Sequence, residues 1–175
     1  MRTIPAIHTG RLILRSFTQA DVQPLHRILS EPDILQYFPR TEPPDIDRVQ
    51  KIIQNQLAHW EEYHLGWWAV IPKEGTEVIG WSGLQFLTET GETEVAYLLS
   101  KTYWGFGYAT EAARAAIKYG FETLNLGQII GLTHPENRAS QNVLRKCGMR
   151  YTGQKEYFGM KLLHFSLQTP TQESP

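Results

Sequence analysis

The most informative segment of this chain reads Glu94-Val95-Ala96-Tyr97-Leu98-Leu99-Ser100, continued by Lys101-Thr102-Tyr103-Trp104-Gly105-Phe106-Gly107-Tyr108-Ala109-Thr110. The first half is mostly apolar and too short for a helix, so it predicts a strand. Two glycines follow, and then a helix-forming run begins at Glu111. A strand, a glycine loop and a helix start present free backbone N–H groups, and the helix dipole adds about half a positive charge there. The stretch predicts an anion-binding loop, although a glycine loop alone is equally typical of a tight turn.

The loop fits neither of two common nucleotide-binding motifs. No Gly-Lys-Ser/Thr follows at P-loop spacing, and Thr110 stands where the dinucleotide fingerprint has its third glycine. The block from Tyr103 to Ala112 instead resembles the acetyl-coenzyme A loop of the GNAT superfamily of N-acetyltransferases, in the branch of the ribosomal-protein-alanine N-acetyltransferases. Two further segments carry the same resemblance: the opening strand from Thr9 to Arg15 and a second signature from Asn137 to Met149.

Composition and charge limit the class of protein. The chain has 175 residues, 41% of them hydrophobic, which is enough to bury one core. A net charge of −1 argues against a protein that binds nucleic acid through its charge. The single cysteine, Cys147, excludes an intrachain disulfide and fits a reducing compartment. With no apolar run of membrane length and no signal-peptide core, we expect a cytoplasmic protein that has no membrane partner and no direct nucleic-acid partner.

The pattern along the chain predicts one α/β (α+β) domain over residues 1–167 and a flexible tail over 168–175. Three strands joined by short polar links predict an antiparallel meander, and a helical crossover before Gln128 predicts a parallel pair. The expected fold is a mixed, mostly antiparallel sheet of about seven strands with helices on both faces. The predicted strands are Arg11–Phe17, Trp67–Ile71, Val78–Phe86, Glu94–Ser100, Gln128–Thr133, Met149–Thr152 and Tyr157–Leu167. The resemblance implies that the fourth and fifth of these strands splay apart around the pantetheine arm.

The resemblance implies an enzyme that transfers an acetyl group from acetyl-coenzyme A to a primary amine by direct attack. The acceptor is expected to be a peptide N-terminus or a small-molecule amine, and the protein a monomer or homodimer. No metal is expected, because the six histidines lack the spacing of metal ligands. A coenzyme A-binding module without activity is the alternative.

Acetyl transfer first requires that the acyl donor be held in place. Thr102 stands where many members of the family have Gln or Arg, so we expect phosphate contacts from backbone N–H groups. The resemblance also implies that Leu99 supplies an N–H group to the thioester carbonyl. The residues expected to bind the coenzyme are Leu98, Leu99, Trp104, Gly105, Phe106, Gly107, Tyr108, Ala109, Thr110, Asn137 and Ser140. For Asn137, the cap of a helix is an equally good alternative.

The amine must also lose a proton, and the thiolate must be stabilised. By resemblance, Glu94 is the expected general base, with a pKa raised by apolar neighbours. Glu92 is its rival, and an exposed turn charge is the structural alternative. Ser140 is expected to bond the leaving sulfur or, alternatively, only to start a helix. Leu144 stands where many relatives carry a tyrosine acid.

The acceptor pocket carries no motif that names a substrate. Aromatic side chains are expected to line it, although tryptophans more often belong to a core. The residues assigned to it are Tyr37, Trp81 and Tyr97.

Overall fold

Eight strands and four α-helices are present in the computed structural model, which describes residues 3–169. The strands are β1 (Ile7–His8), β2 (Leu12–Arg15), β3 (Trp67–Pro72), β4 (Gly80–Leu87), β5 (Glu92–Leu99), β6 (Gln128–Thr133), β7 (Arg150–Tyr157) and β8 (Met160–Gln168). The helices are α1 (Val22–Leu29), α2 (Ile46–Tyr63), α3 (Tyr108–Glu122) and α4 (Arg138–Lys146).

All strands belong to one sheet in the order β1-β2-β3-β4-β5-β6-β8-β7. Neighbouring strands are antiparallel except β5 and β6, which are joined by the crossover through α3 and run parallel. The predicted mixed sheet is therefore confirmed, with eight strands rather than about seven. The additional strand is β1, which is only two residues long and too short for a periodic pattern.

Helices cover both faces of the sheet because alternate strand residues point to opposite sides. On one face, α1 and α2 pack through residues such as Leu25 and Ile53 against Trp81 and Leu98. On the other face, α3 packs against a second cluster that contains Val95 and Leu99, together with α4. The fully buried side of α3 consists of alanines, whose small side chains let the helix approach the sheet closely: Ala112, Ala113 and Ala116.

The last two strands differ from their predicted bounds. They form a hairpin with a turn at Phe158 and Gly159, which have φ angles of 54° and 73°. The polar run before this turn belongs to β7, which lies at the sheet edge and is largely exposed. A strand at the edge buries few side chains and therefore lacks a hydrophobic alternation. Gln168 ends β8, while residues 170–175 lie outside the described part, so the tail and the domain boundary stay predictions.

Candidate active site

The site lies where β5 and β6 separate. These strands are in register at one position, where Glu94 faces Ile130, and the pairing does not continue toward their C-terminal ends. The resemblance implied this gap between the parallel strands. α3 begins and α4 begins at the same edge of the sheet, because both follow the C-terminal end of a parallel strand.

Only alternate backbone groups of β5 face the gap. The N–H of Ser100 donates to the carbonyl of Ile79 on β4, with a distance of 2.8 Å. In an antiparallel ladder the next pair bonded in this way is Leu98 with Trp81, so the backbone groups of Leu98 face β4. The expected pairing of pantetheine with Leu98 is corrected for this reason. The backbone groups of Leu99 face the gap.

The carbonyl of Leu99 already has a partner within the protein. The indole Nε1 of Trp104 donates to it at 2.7 Å, although the ring itself is half exposed. This contact ties the glycine loop to the end of β5. The sequence assigns Trp104 only to the coenzyme-binding loop. A hydrogen bond from a side chain to a backbone carbonyl produces no recognisable sequence pattern, so this contact could not be predicted.

The glycine loop has the backbone that its sequence predicted. Gly105 and Gly107 have φ angles of 84° and 80°, in the left-handed region that favours glycine. Gly107 is the N-cap of α3 and supplies no side chain, so the N–H groups of the first turn have no capping partner. The side chain of Phe106, between the glycines, is 62% exposed. These free N–H groups and the dipole of α3 form a site that fits a diphosphate.

Glu94 lies at the position from which the gap opens. It is half-buried and is paired with Gln85 of β4 as well as with Ile130. Burial raises the pKa of Glu94 to about 8, and a hydrogen bond from the backbone N–H of Leu132 opposes this rise. A pKa in this range suits a group that accepts a proton near neutral pH.

Glu92 points to the same face as Glu94 but is held by its neighbours. Its carboxylate accepts a hydrogen bond of 2.5 Å from the hydroxyl of Tyr157 and lies 3.3 Å from Nε2 of His164. Burial tends to raise the pKa of Glu92, but hydrogen bonds from Tyr157, Thr90 and His164 outweigh it and lower the pKa. These contacts anchor the β7–β8 hairpin to β5, which indicates a structural role.

Two side chains meet across the gap at the start of α4. The hydroxyl oxygen of Tyr97 is 2.9 Å from Oγ of Ser140 and donates to its carbonyl at 3.1 Å. Burial raises the pKa of Tyr97 above its ordinary value. Asn137 caps the helix, because its Oδ1 accepts from the N–H of Ser140 at 3.0 Å. The side chain of Ser140 is therefore not the cap, and its hydroxyl faces Tyr97.

The three residues assigned to the acceptor pocket do not share one face. Trp81 lies on the face covered by α1 and α2, where it stacks on Trp67 with 3.8 Å between ring centroids. Tyr37 stacks on His134 at 5.2 Å and adjoins Phe38, whose ring contacts that of Trp81 at 6.4 Å between centroids. Tyr97 belongs to the cluster on the opposite face. Tyr97 and Trp81 therefore lie on opposite sides of the sheet, because adjacent positions on a strand point to opposite sides and Leu98 is the partner of Trp81. The assignment of Tyr97 to the acceptor pocket stays a prediction.

Residues 3–169 contain no group of three metal-ligating side chains that could hold an ion. None of the helices in that range has the length and apolar character needed to cross a membrane.

The model of the family described as "Acetyltransferase (GNAT) domain" matches residues 11–150. The chain is 33% identical over 150 residues to the uncharacterized N-acetyltransferase p20 of Bacillus licheniformis, which covers 84% of this chain and 83% of that protein. Its fold matches an acetyltransferase from Agrobacterium tumefaciens with a TM-score of 0.84, 27% identity and 96% coverage of both chains.

A second solved structure with the same fold is a complex with coenzyme A. It is a ribosomal L7/L12 alpha-N-protein acetyltransferase, and it matches with a TM-score of 0.78 and 16% identity over 95% of this chain and 98% of that chain. The resemblance of this chain to the GNAT superfamily is thus confirmed over most of the sequence by the family model and the p20 relative, and the fold agrees with it.

Proposed function

Since this chain belongs to the GNAT acetyltransferase family and transfers an acetyl group from acetyl-coenzyme A to an amine, we propose that Glu94 accepts the amine proton where β5 and β6 part. The observation that carries this proposal is the position of Glu94 at the last paired residue before the gap. Its carboxyl group has a pKa near 8, so an appreciable fraction is ionised at neutral pH.

The coenzyme fits the residues that surround the gap. The free N–H groups at the start of α3 suit its diphosphate, and the carbonyl of Leu99, which has a second lone pair beside the bond from Trp104, suits a pantetheine amide N–H. We assign the N–H of Leu99 to the polarisation of the thioester carbonyl, as an oxyanion-hole donor. Bound acetyl-coenzyme A supplies the acetyl group as a co-substrate.

The reaction is a direct transfer. The amine nitrogen attacks the thioester carbonyl carbon, so a C–N bond forms while the amine proton passes to Glu94, directly or through water. The C–S bond then breaks, and the electron pair leaves on the sulfur. We assign the hydroxyl of Ser140 to the stabilisation of this thiolate, because Tyr97 holds it at the gap.

The rival base is less suited to this step. The lowered pKa of Glu92 makes it a weaker proton acceptor than Glu94, and both of its carboxylate oxygens already have partners. Replacement of Glu92 is expected to loosen the β7–β8 hairpin rather than to change the protonation step.

The acceptor amine is proposed to approach from the face covered by α1 and α2. Glu94 points to that face, as do Trp81 and the neighbouring Gln85. Tyr37 lies beside it, where its hydroxyl also meets the carbonyl of Glu136 at 3.5 Å. We assign Trp81 and Tyr37 to the acceptor side, and a peptide N-terminus or a small amine to the pocket. A cytoplasmic location is proposed because the reaction uses acetyl-coenzyme A and the chain has one cysteine.

One assay tests the activity and narrows the acceptor. Release of free thiol from acetyl-coenzyme A is measured with N-terminal peptides, polyamines, aminoglycosides and amino acids in parallel. Turnover with any amine that is lost in Glu94→Gln supports the proposal. Tight binding of coenzyme A without turnover on all amines would indicate a binding module instead.

A further inference from the structure

A cluster of side chains joins the start of the chain to the start of α3. The carboxylate of Glu111 accepts hydrogen bonds of 2.7 Å from Oγ1 of Thr9, from the backbone N–H of Arg11 and from Nε of Arg11. Nη2 of Arg11 lies 2.7 Å from the same carboxylate. We call these three residues the loop clamp. They are about 100 positions apart in sequence, so the clamp exists only in the folded chain.

The position of Glu111 matters because it lies in the first turn of α3. The N–H groups of that turn are the ones assigned to the diphosphate, and an uncompensated carboxylate there would repel an anion. Arg11 compensates this charge with a two-point ion pair. Burial raises the pKa of Glu111, but the hydrogen bonds from Thr9 and Arg11 outweigh it and lower the pKa, so the pair stays ionic near neutral pH.

Arg11 also reaches the loop itself. Its Nη1 donates to the carbonyl of Phe106 at 2.8 Å, and its guanidinium carbon lies 4.5 Å from the ring centroid of Tyr108. Nη2 would be 3.5 Å from a Cβ added to Gly107. Phe106 lies between two glycines and has an exposed side chain, so packing does little to hold its peptide groups. Arg11 supplies a fixed point for this part of the loop.

On the basis of the proposed coenzyme site, we propose that Arg11 is a positioning residue for acetyl-coenzyme A and that Glu111 holds it in place. Arg11 fixes the carbonyl of Phe106 and neutralises the charge of Glu111. The peptide planes of the loop are then set with their N–H groups free for the diphosphate.

The chain contains a matched control for this arrangement. Asp21 is bound in the same way as Glu111, by two nitrogens of Arg15 at 2.7 and 2.8 Å and by the backbone N–H and hydroxyl of Thr18 at 2.7 and 3.1 Å. This second cluster also joins β2 to the start of a helix. None of its described contacts reaches the glycine loop, so its loss affects stability alone.

The experiment measures coenzyme A binding by calorimetry, together with melting temperature and turnover, for Arg11→Gln, Glu111→Gln and Arg15→Gln in the full chain. The dissociation constant is expected to rise about tenfold in the first two variants, the usual effect of losing one charge-assisted hydrogen bond. The Michaelis constant for acetyl-coenzyme A should rise in step with the dissociation constant, so turnover at low acetyl-coenzyme A should fall. Arg15→Gln should lower the melting temperature and leave the dissociation constant unchanged.

The variant Glu111→Gln distinguishes two effects on coenzyme binding: the positioning of Arg11 by Glu111, and the negative charge of Glu111 beside the diphosphate site. Removing a carboxylate beside an anion site should tighten binding if charge alone matters, whereas loss of the clamp should weaken it. Tighter or unchanged binding in this variant would overturn the proposal, as would a dissociation constant that is unaltered in Arg11→Gln. If Arg11→Gln does not fold, Arg11→Lys serves instead, and it should bind with intermediate affinity. A wild-type chain that does not bind coenzyme A would overturn the coenzyme site itself, which is a different result.

Discussion

The hydroxyl oxygen of Tyr97 lies 2.9 Å from Oγ of Ser140, which links β5 to the start of α4 across the gap. Tyr97 lies on β5 and Ser140 lies on the helix that follows β6, so their contact spans the gap between the two parallel strands. The phenol of Tyr97 has one proton, and when it donates this proton to Oγ rather than to the carbonyl of Ser140, the Ser140 hydroxyl proton is left for a partner inside the gap.

Ser140→Ala is expected to lower turnover more than it weakens acetyl-coenzyme A binding. Negative charge grows on sulfur only as the C–S bond breaks, so a hydrogen bond to it acts mainly on the transition state. The helix start should be retained, because Asn137 is the cap and bonds the backbone of Ser140. Turnover, coenzyme affinity and melting temperature on one preparation check this. Unchanged turnover per folded molecule would remove Ser140 from the reaction.

Tyr97→Phe tests the same contact from the other side. It should reduce turnover through a less well oriented Ser140, and the double variant should be no slower than Ser140→Ala alone. Such non-additivity is expected when one residue acts through another. Fully additive effects would show that Tyr97 acts independently of Ser140.

Glu94→Gln should lower turnover by about 10²–10⁴-fold, the range for loss of a general base. The wild-type rate should rise with pH through about 8, where half of the Glu94 carboxyl groups have lost their proton, and the variant should lack this rise. The matched control is Glu92→Gln, which should lower thermal stability and keep the same pH profile. Identical pH profiles for wild type and Glu94→Gln would exclude Glu94 as the base.

Stability should respond to the same carboxyl group. The folded pKa of Glu94 lies near 8 against an ordinary value of 4.5, so the folded state binds this proton more strongly than the unfolded state. The contribution of Glu94 to the free energy of unfolding should therefore be largest below pH 4.5, fall between pH 4.5 and about 8, and stay constant above. Chemical denaturation of wild type and Glu94→Gln across this range measures the difference, which should grow with pH in favour of the variant. A constant difference would contradict the burial of this group.

Gly107→Val should weaken coenzyme A binding strongly. Its φ of 80° is unfavourable for a β-branched residue, and the new side chain would stand beside Arg11 where the diphosphate must approach. Gly91 offers the control, because it has a φ of 71° in the turn before β5 and no neighbour within 4 Å of an added Cβ. Both variants should lose stability, but only Gly107→Val should raise the dissociation constant in a calorimetric titration. Equal affinities would remove the loop from the coenzyme site.

Short sequence patterns were enough to predict much of the secondary structure around the site. The strand, glycine loop and helix from Glu94 onward could be predicted because each depends on neighbouring residues: apolar density, the freedom of glycine and the helix propensity of alanine. The cap at Asn137 and the crossover to β6 follow from equally short segments. The raised pKa of Glu94 was expected from its apolar neighbours, and the structure bears this out.

Other features were decided only by tertiary structure. The face that Tyr97 occupies depends on strand register, since a shift of one position exchanges the two sides of a strand. The anchoring of Glu92 depends on a hairpin about 65 residues later, whose edge strand has no hydrophobic pattern. The loop clamp joins Arg11 to Glu111 across about 100 residues. The physical reason is common to all three. Each contact forms between segments that meet only when the whole sheet has assembled, and no local sequence pattern in either segment specifies its partner.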